Sequence, residues 1–136
     1  MLAILSKSVL FRNISDTEIS ELLETAAYRV VVYRPKDIVA LQGAPCNHLM
    51  IVLSGLLQGQ MVNDAGKLVV IEELQASQLL APAFLYAPQN NLPVNILAME
   101  LSEILFIHRD DFTQWMQLNK QLLQNFLMLI SGRSHF

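Results

Sequence analysis

A chain of 136 residues, 53% hydrophobic and 15% charged, has enough apolar side chains for the core of one domain and some to spare for a partner. Its formal charge of -3 gives no electrostatic footprint for nucleic acid, and its single cysteine, Cys46, excludes an internal disulfide framework. No apolar run approaches the roughly 20 residues of a membrane span, and no basic stretch leading into a sustained apolar one opens the chain, so a cytoplasmic protein is expected.

Ile4 to Phe11 is a short apolar lead-in. Ser15-Asp16-Thr17-Glu18 then has the pattern of a capping box, in which the serine accepts a backbone N–H and the glutamate three residues on returns the favour. Ile19, Leu22, Leu23 and Ala26 follow at helical spacing, which predicts a helix over about 16–27. Tyr28 to Tyr33 is β-branched and aromatic, Pro35-Lys36-Asp37 is a turn, and Ile38 to Leu41 is a second strand ending at Gln42-Gly43. His48 to Leu53 is a third, stopped by Ser54-Gly55.

Leu56 to Val62 and Leu68 to Leu74 flank Asn63-Asp64-Ala65-Gly66, whose Asx and Gly residues supply the positive φ of a tight reversal, so this pair is a hairpin. Leu79 to Tyr86 is apolar but broken by Pro82, too short for a helix and too irregular for a strand. Such a segment lines something. Ile96 to Met99 and Glu103 to His108 are the last strands. Many short strands with helices only at the two ends predict a mainly β architecture, a small antiparallel barrel or jelly roll.

Asp110 or Asp111 is expected to cap a short helix through Met116. From Asn119 the apolar residues return at helical spacing: Leu122, Phe126 and Leu129, extended by Arg133 and Phe136, are separated by four, three, four and three residues, the seam spacing of a coiled coil. Leu123, Leu127 and Ile130 form a second stripe. One stripe is free to meet a second chain while the other packs on the barrel, and the seam Leu122, Phe126, Leu129 and Arg133 is the expected homodimer contact. The pattern runs to the last residue without a stop, so truncation is expected.

Gln42-Gly43, Leu49 to Gly55 and Asp64-Ala65-Gly66-Lys67, in this order and spacing, resemble the sensor domain of the Crp/Fnr family of bacterial transcription regulators. The leading helix, the Pro35-Lys36-Asp37 turn, the Asp111-Phe112 helix start and the terminal helix fit the same pattern, so the resemblance covers essentially the whole chain. It implies a cyclic-nucleotide-binding-like jelly roll over 1–118, then the start of a long dimerisation helix over 119–136. It also implies a DNA-binding helix-turn-helix domain that these residues lack, so that DNA is met only through that absent domain.

The departure from the family is as informative. Cyclic-nucleotide-binding members carry a Gly-Glu-Leu-type motif and then an Arg-Ser or Arg-Thr pair that hold the cyclic phosphate and ribose; the matching positions here are Ala81-Pro82-Ala83 and Leu92-Pro93. Pro82 has no N–H to donate, and a buried phosphate without its arginine is an unpaired charge, so no cyclic nucleotide is expected. If Leu57, Gly59 and Met61 alternate inward on one strand and Val69 and Ile71 on the next, they enclose with Leu80, Phe84 and Leu92 an apolar pocket. A small apolar ligand suits it.

The cassette LLAPAFLYA with PQNNLPVN is also similar to a haem-associated nitrosative-stress branch of the family, which makes haem a candidate ligand. Met61 is the first candidate axial ligand and His135 the second. The rival reading is a dimerisation or scaffold module of the same fold, its pocket filled by its own side chains. No catalysis is expected: three scattered histidines and adjacent Glu72-Glu73, which point to opposite strand faces, assemble no acid–base or metal machinery.

Overall fold

The computed structural model describes residues 1–132, so Arg133, His135 and Phe136 lie outside the described residues. The strands are β1 (Arg29–Tyr33), β2 (Ile38–Ala40), β3 (His48–Ser54), β4 (Leu56–Val62), β5 (Leu68–Gln75), β6 (Asn95–Ala98) and β7 (Ser102–His108). They pair antiparallel into two sheets, ordered β1-β7-β3 and β2-β6-β4-β5. Helices α1 (Leu2–Leu5) and α2 (Asp16–Glu24) precede them, and α3 (Arg109–Leu118) and α4 (Lys120–Ser131) follow. The expected mainly β jelly roll with terminal helices is therefore the architecture found.

The capping box forms as read. Ser15 Oγ accepts the Glu18 N–H at 3.1 Å, and Glu18 Oε1 accepts the Ser15 N–H at 3.3 Å. The helix stops at Glu24, short of the expected end, because the Thr25 hydroxyl donates to the Leu22 carbonyl at 2.7 Å and closes the last turn. Trp115 Nε1 donates to that same hydroxyl at 3.0 Å, tying α3 to the end of α2. The cap of α3 differs from expectation: His108, not Asp110 or Asp111, occupies it, and its Nδ1 accepts the Asp110 N–H at 3.1 Å.

At the hairpin, Asn63 Oδ1 accepts from the N–H groups of Ala65 and Lys67 while Gly66 sits at φ 77°, so the side chain and the glycine together set the reversal. Gly55, between β3 and β4, is at φ 94°, and a Cβ there would fall against Ser102 Oγ and 2.6 Å from the Leu101 carbonyl oxygen. Only glycine allows β4 to leave β3 this close to β7.

The core includes Leu57, Leu74, Ile96 and Ala98 of one sheet and Ile51, Ile104, Leu105 and Ile107 of the other, each at most 1% exposed. Asn119 breaks α3 from α4 with an extended backbone, caps α4 by accepting the Leu122 N–H, and donates to Glu18 at 3.1 Å. Helix α4 then lies on the 3-10 turn Val9–Phe11 and on α3. Leu122 is fully buried, Phe126 is 2% exposed, and Asn125 donates to the carbonyls of Leu10 and Arg12, both at 2.8 Å. The Phe126 ring meets Phe112 edge to face at 5.1 Å and Tyr86 at 5.8 Å.

The seam expectation is thereby corrected. Leu122 and Phe126 pack on the chain's own core, which leaves them no surface for a second chain, while Leu129 is half-buried and Arg133 lies outside the described residues. The outward side of α4 carries Leu127 at 49% exposure and Met128 at 70%, flanked by half-buried Leu123 and Ile130. Two apolar stripes on one helix are equivalent in sequence; the 3-10 turn and α3 choose between them.

Candidate functional site

The segment after the hairpin begins as an added strand on β3. Ser77 donates to the Val52 carbonyl, Val52 to that of Gln78, and Leu80 to that of Met50, at 2.8 to 2.9 Å. Ala81 then turns left-handed at φ 44° and ψ 48°, and Pro82–Phe84 forms a single 3-10 turn with the proline in its first turn. Proline is tolerated there because that N–H has no partner inside the turn. Leu85 is buried, its carbonyl accepts from the Arg109 guanidinium at 3.2 Å, and the Tyr86 hydroxyl lies 2.7 Å from that of Thr113. The loop is thus held by its own side chains.

The sequence-predicted pocket residues divide. Leu57, Leu80, Ala81 and Leu92 are 0 to 3% exposed, Gly59 and Pro82 are buried, and Met61, Val69, Phe84 and Pro93 are half-buried, while Ala83 is exposed. Ile71, expected inward, is 41% exposed. The pairing of β4 with β5 steps from Gly59↔Glu72 to Gln60↔Val70, so Ile71 is the extra residue of a bulge and the alternation slips. Leu74 and Glu72 take the inward positions beyond it. No cation or hydroxyl stands at Ala81-Pro82-Ala83 or Leu92-Pro93, and Leu92 is itself core, its N–H bonded to the Ala44 carbonyl.

Of the sequence-predicted pocket residues, Leu92 alone lines one of the three cavities that follow. One of about 380 Å³ is bounded by Lys7, Val9, Glu72, Leu74, Leu79 and Leu129, between β5, the lead-in and α4. A groove of about 410 Å³ adjoins it along α4, sharing Val9 and Leu129 and adding Arg12 and Asn125. A third, about 210 Å³, opens between the two sheets where β3 begins, lined by Cys46, His48, Met50, Leu92 and Phe106 among others. The His48 imidazole is held below the ordinary histidine value by burial and by the charges of His108 and Arg29, whereas burial pushes the Cys46 thiol up. Both stay neutral at neutral pH.

The candidate haem ligands fall in two places. Met61 packs against the core and lines none of these three cavities. His135 lies outside the described residues, and no group of three or more His, Cys, Asp or Glu among them is placed to hold a metal ion. Sequence reasoning missed the pairing of His48 with His108, read separately as the start of one strand and the end of another. An antiparallel match of a strand starting at His48 with one ending at His108 would have placed them opposite each other.

A family model for the cyclic nucleotide-binding domain matches residues 30–119. Among solved structures, a transcriptional regulator from Thermotoga maritima is 32% identical, with 83% of this chain and 86% of that one covered and a TM-score of 0.75. The sensor domain of the transcriptional regulator DNR from Pseudomonas aeruginosa shares the fold at 21% identity, 96% and 86% coverage and a TM-score of 0.81. The catabolite activator protein of Thermus thermophilus does so at 18% identity, 91% and 57% coverage and a TM-score of 0.80. No curated protein matches.

Proposed function

Because this chain belongs to the cyclic nucleotide-binding domain family, we propose that it is the sensor domain of a Crp/Fnr-type transcription regulator whose effector is a small apolar or amphipathic molecule and not a cyclic nucleotide. One observation carries the reading: the loop that would cradle a cyclic phosphate presents Ala81, Pro82 and Ala83, and the position of its arginine is a leucine only 3% exposed. A phosphate placed there would be desolvated with no cation and no hydroxyl to receive it.

The cavity beside α4 is where an effector would act on a partner. Leu129 forms its wall and belongs to the helix whose outward side carries Leu127 and Met128. A ligand with different affinity for two positions of α4 would bias the contact between two copies along that side, and through it the placing of DNA-binding domains in an intact regulator. The homodimer is part of this proposal. A second reading, a scaffold without effector, is favoured by the full burial of Leu57, Leu80 and Ala81 where the apolar pocket was expected.

Calorimetry with cyclic AMP and cyclic GMP tests the first claim, with no heat expected at micromolar protein; micromolar binding of either overturns it. Haem belongs in the same trial because of the cassette resemblance, although Met61 offers it no prepared site. A stoichiometric Soret band on hemin titration, altered by Met61→Leu, would identify haem as the effector; no band removes it from the proposal.

A further inference from the structure

The end of the sandwich where β3 starts and β7 finishes carries a different chemistry from the cassette. Arg29, Phe106 and Met50 stand in register across β1, β7 and β3, and His48 faces His108 one row further out. All five share the face turned toward the other sheet, because alternate residues of a strand share a face. The cavity of about 210 Å³ lies under this row, its apolar wall built from Val39, Ala40, Met50, Leu92 and Phe106, with His48 at the side.

The rim is cationic. The Arg29 guanidinium lies over the Phe106 ring, 4.8 Å from its centroid, and among the described residues it makes no ion pair. Stacking fixes the plane of a guanidinium while leaving its N–H edge free, the geometry that takes a carboxylate with two parallel bonds. The His48 ring is 6.0 Å from that of Phe106 and 5.2 Å from that of His108. Among the described residues the carboxylate paired with these rings is that of Asp110, 83% exposed and 3.7 Å from His108. Arg109, next along, is occupied with the Leu85 carbonyl.

We propose that this barrel mouth binds a small organic monoanion, a short carboxylate whose hydrocarbon enters the cavity and whose head group meets Arg29 and His48. The cavity is too small for a nucleotide, and its apolar wall leaves a bare inorganic anion nothing to gain beyond the rim. The buried thiol of Cys46, whose donor is turned to the His48 carbonyl at 3.9 Å, adds no competing charge. Burial first, then His108 and Arg29, hold His48 below the ordinary histidine value; an anion beside the ring favours its charged form, so binding is expected to strengthen as pH falls. The site is separate from the α4 cavity and stands whether or not the domain is a regulator's sensor.

The probe is sodium benzoate, titrated at about pH 6.5, the ordinary histidine value, and followed by calorimetry and by the His48 ring signals in NMR. Saturable binding that moves those signals is expected, with benzyl alcohol, the same ring without the charge, and inorganic phosphate, the charge without the ring, both much weaker. Arg29→Gln should weaken benzoate about ten-fold or more, the loss that goes with one charge-assisted hydrogen bond, and leave the fold intact because the side chain is exposed. No saturable benzoate binding, equal binding of phosphate or benzyl alcohol, or an unchanged affinity in Arg29→Gln each overturns the proposal. None of these results bears on the cyclic-nucleotide titration, so the two readings fail separately.

Discussion

The two sides of α4 predict opposite consequences for adjacent substitutions. Phe126 is 2% exposed, with its ring between Phe112 and Tyr86. Truncating such a ring to alanine removes its transfer free energy and leaves a cavity, about 3–5 kcal/mol in all. For a domain of this length that lowers the melting temperature by roughly 10–20 °C, a large part of a total stability of about 5–15 kcal/mol. Leu127, its neighbour, is 49% exposed, so Leu127→Asp should cost the folded protomer within about 0.5 kcal/mol. In a contact between two copies, however, the same carboxylate would be desolvated in each, which the association cannot sustain. Sedimentation and thermal unfolding at one fixed protomer concentration separate the cases. Phe126→Ala is expected to melt early, and Leu127→Asp to fold normally and sediment as a monomer. If Leu127→Asp stays dimeric while Phe126→Ala dissociates without loss of protomer stability, the buried seam is the interface and this orientation of α4 is wrong.

Gly55→Ala should cost about 2 kcal/mol or more, because it adds left-handed strain for a non-glycine residue to a close approach on Ser102 and Leu101; an unchanged denaturant midpoint would show that the crossing does not need glycine. His48 gives a pH prediction of definite sign. Its folded value is depressed by burial and then by His108 and Arg29, so the unfolded chain takes up the proton first. The stability tied to it is present above about pH 6.5 and lost as acid carries the pH through the ordinary histidine value toward the lower folded one. Midpoints at about pH 7.5 and 5.5 should therefore differ more in the native chain than in His48→Gln, and equal differences would refute the assignment.

What was legible in the sequence was local, and what was not depended on contacts between distant segments. The Ser15–Glu18 box and the Asn63–Gly66 reversal are closed within four or five residues, and both formed as read. The alternation of β5 was read with period two, which fixes parity but not the place where an extra residue enters. The bulge at Ile71 therefore leaves Val69 opposite Met61 but turns Ile71 outward and gives the next inward positions to Glu72 and Leu74. The choice between the stripes of α4 needed the Val9–Phe11 turn, which lies more than a hundred residues away in the chain and which Asn125 clasps through two carbonyls. The α3 cap needed the helix to begin at Arg109, directly after β7 and two residues earlier than a cap at Asp110 gives.

The cassette loop shows why losing a ligand's contacts need not cost the loop. Where the resemblance implies a glycine, Ala81 still adopts a left-handed backbone, at a cost of order 1 kcal/mol or more for a residue with a Cβ. That cost has to be met by contacts other than phosphate ones. Pro82 presets the following turn, the Leu85 side chain is 1% exposed, its carbonyl is held by Arg109, and the Tyr86 ring stacks edge-on to Phe126 of α4. The Tyr86–Phe126 contact joins the loop to α4, and Arg109 joins it to α3, without any bound molecule. The chain itself supplies that link. On the proposed reading, a signal that moves α4 would enter through the cavity at Leu129 or through the outward side of the helix.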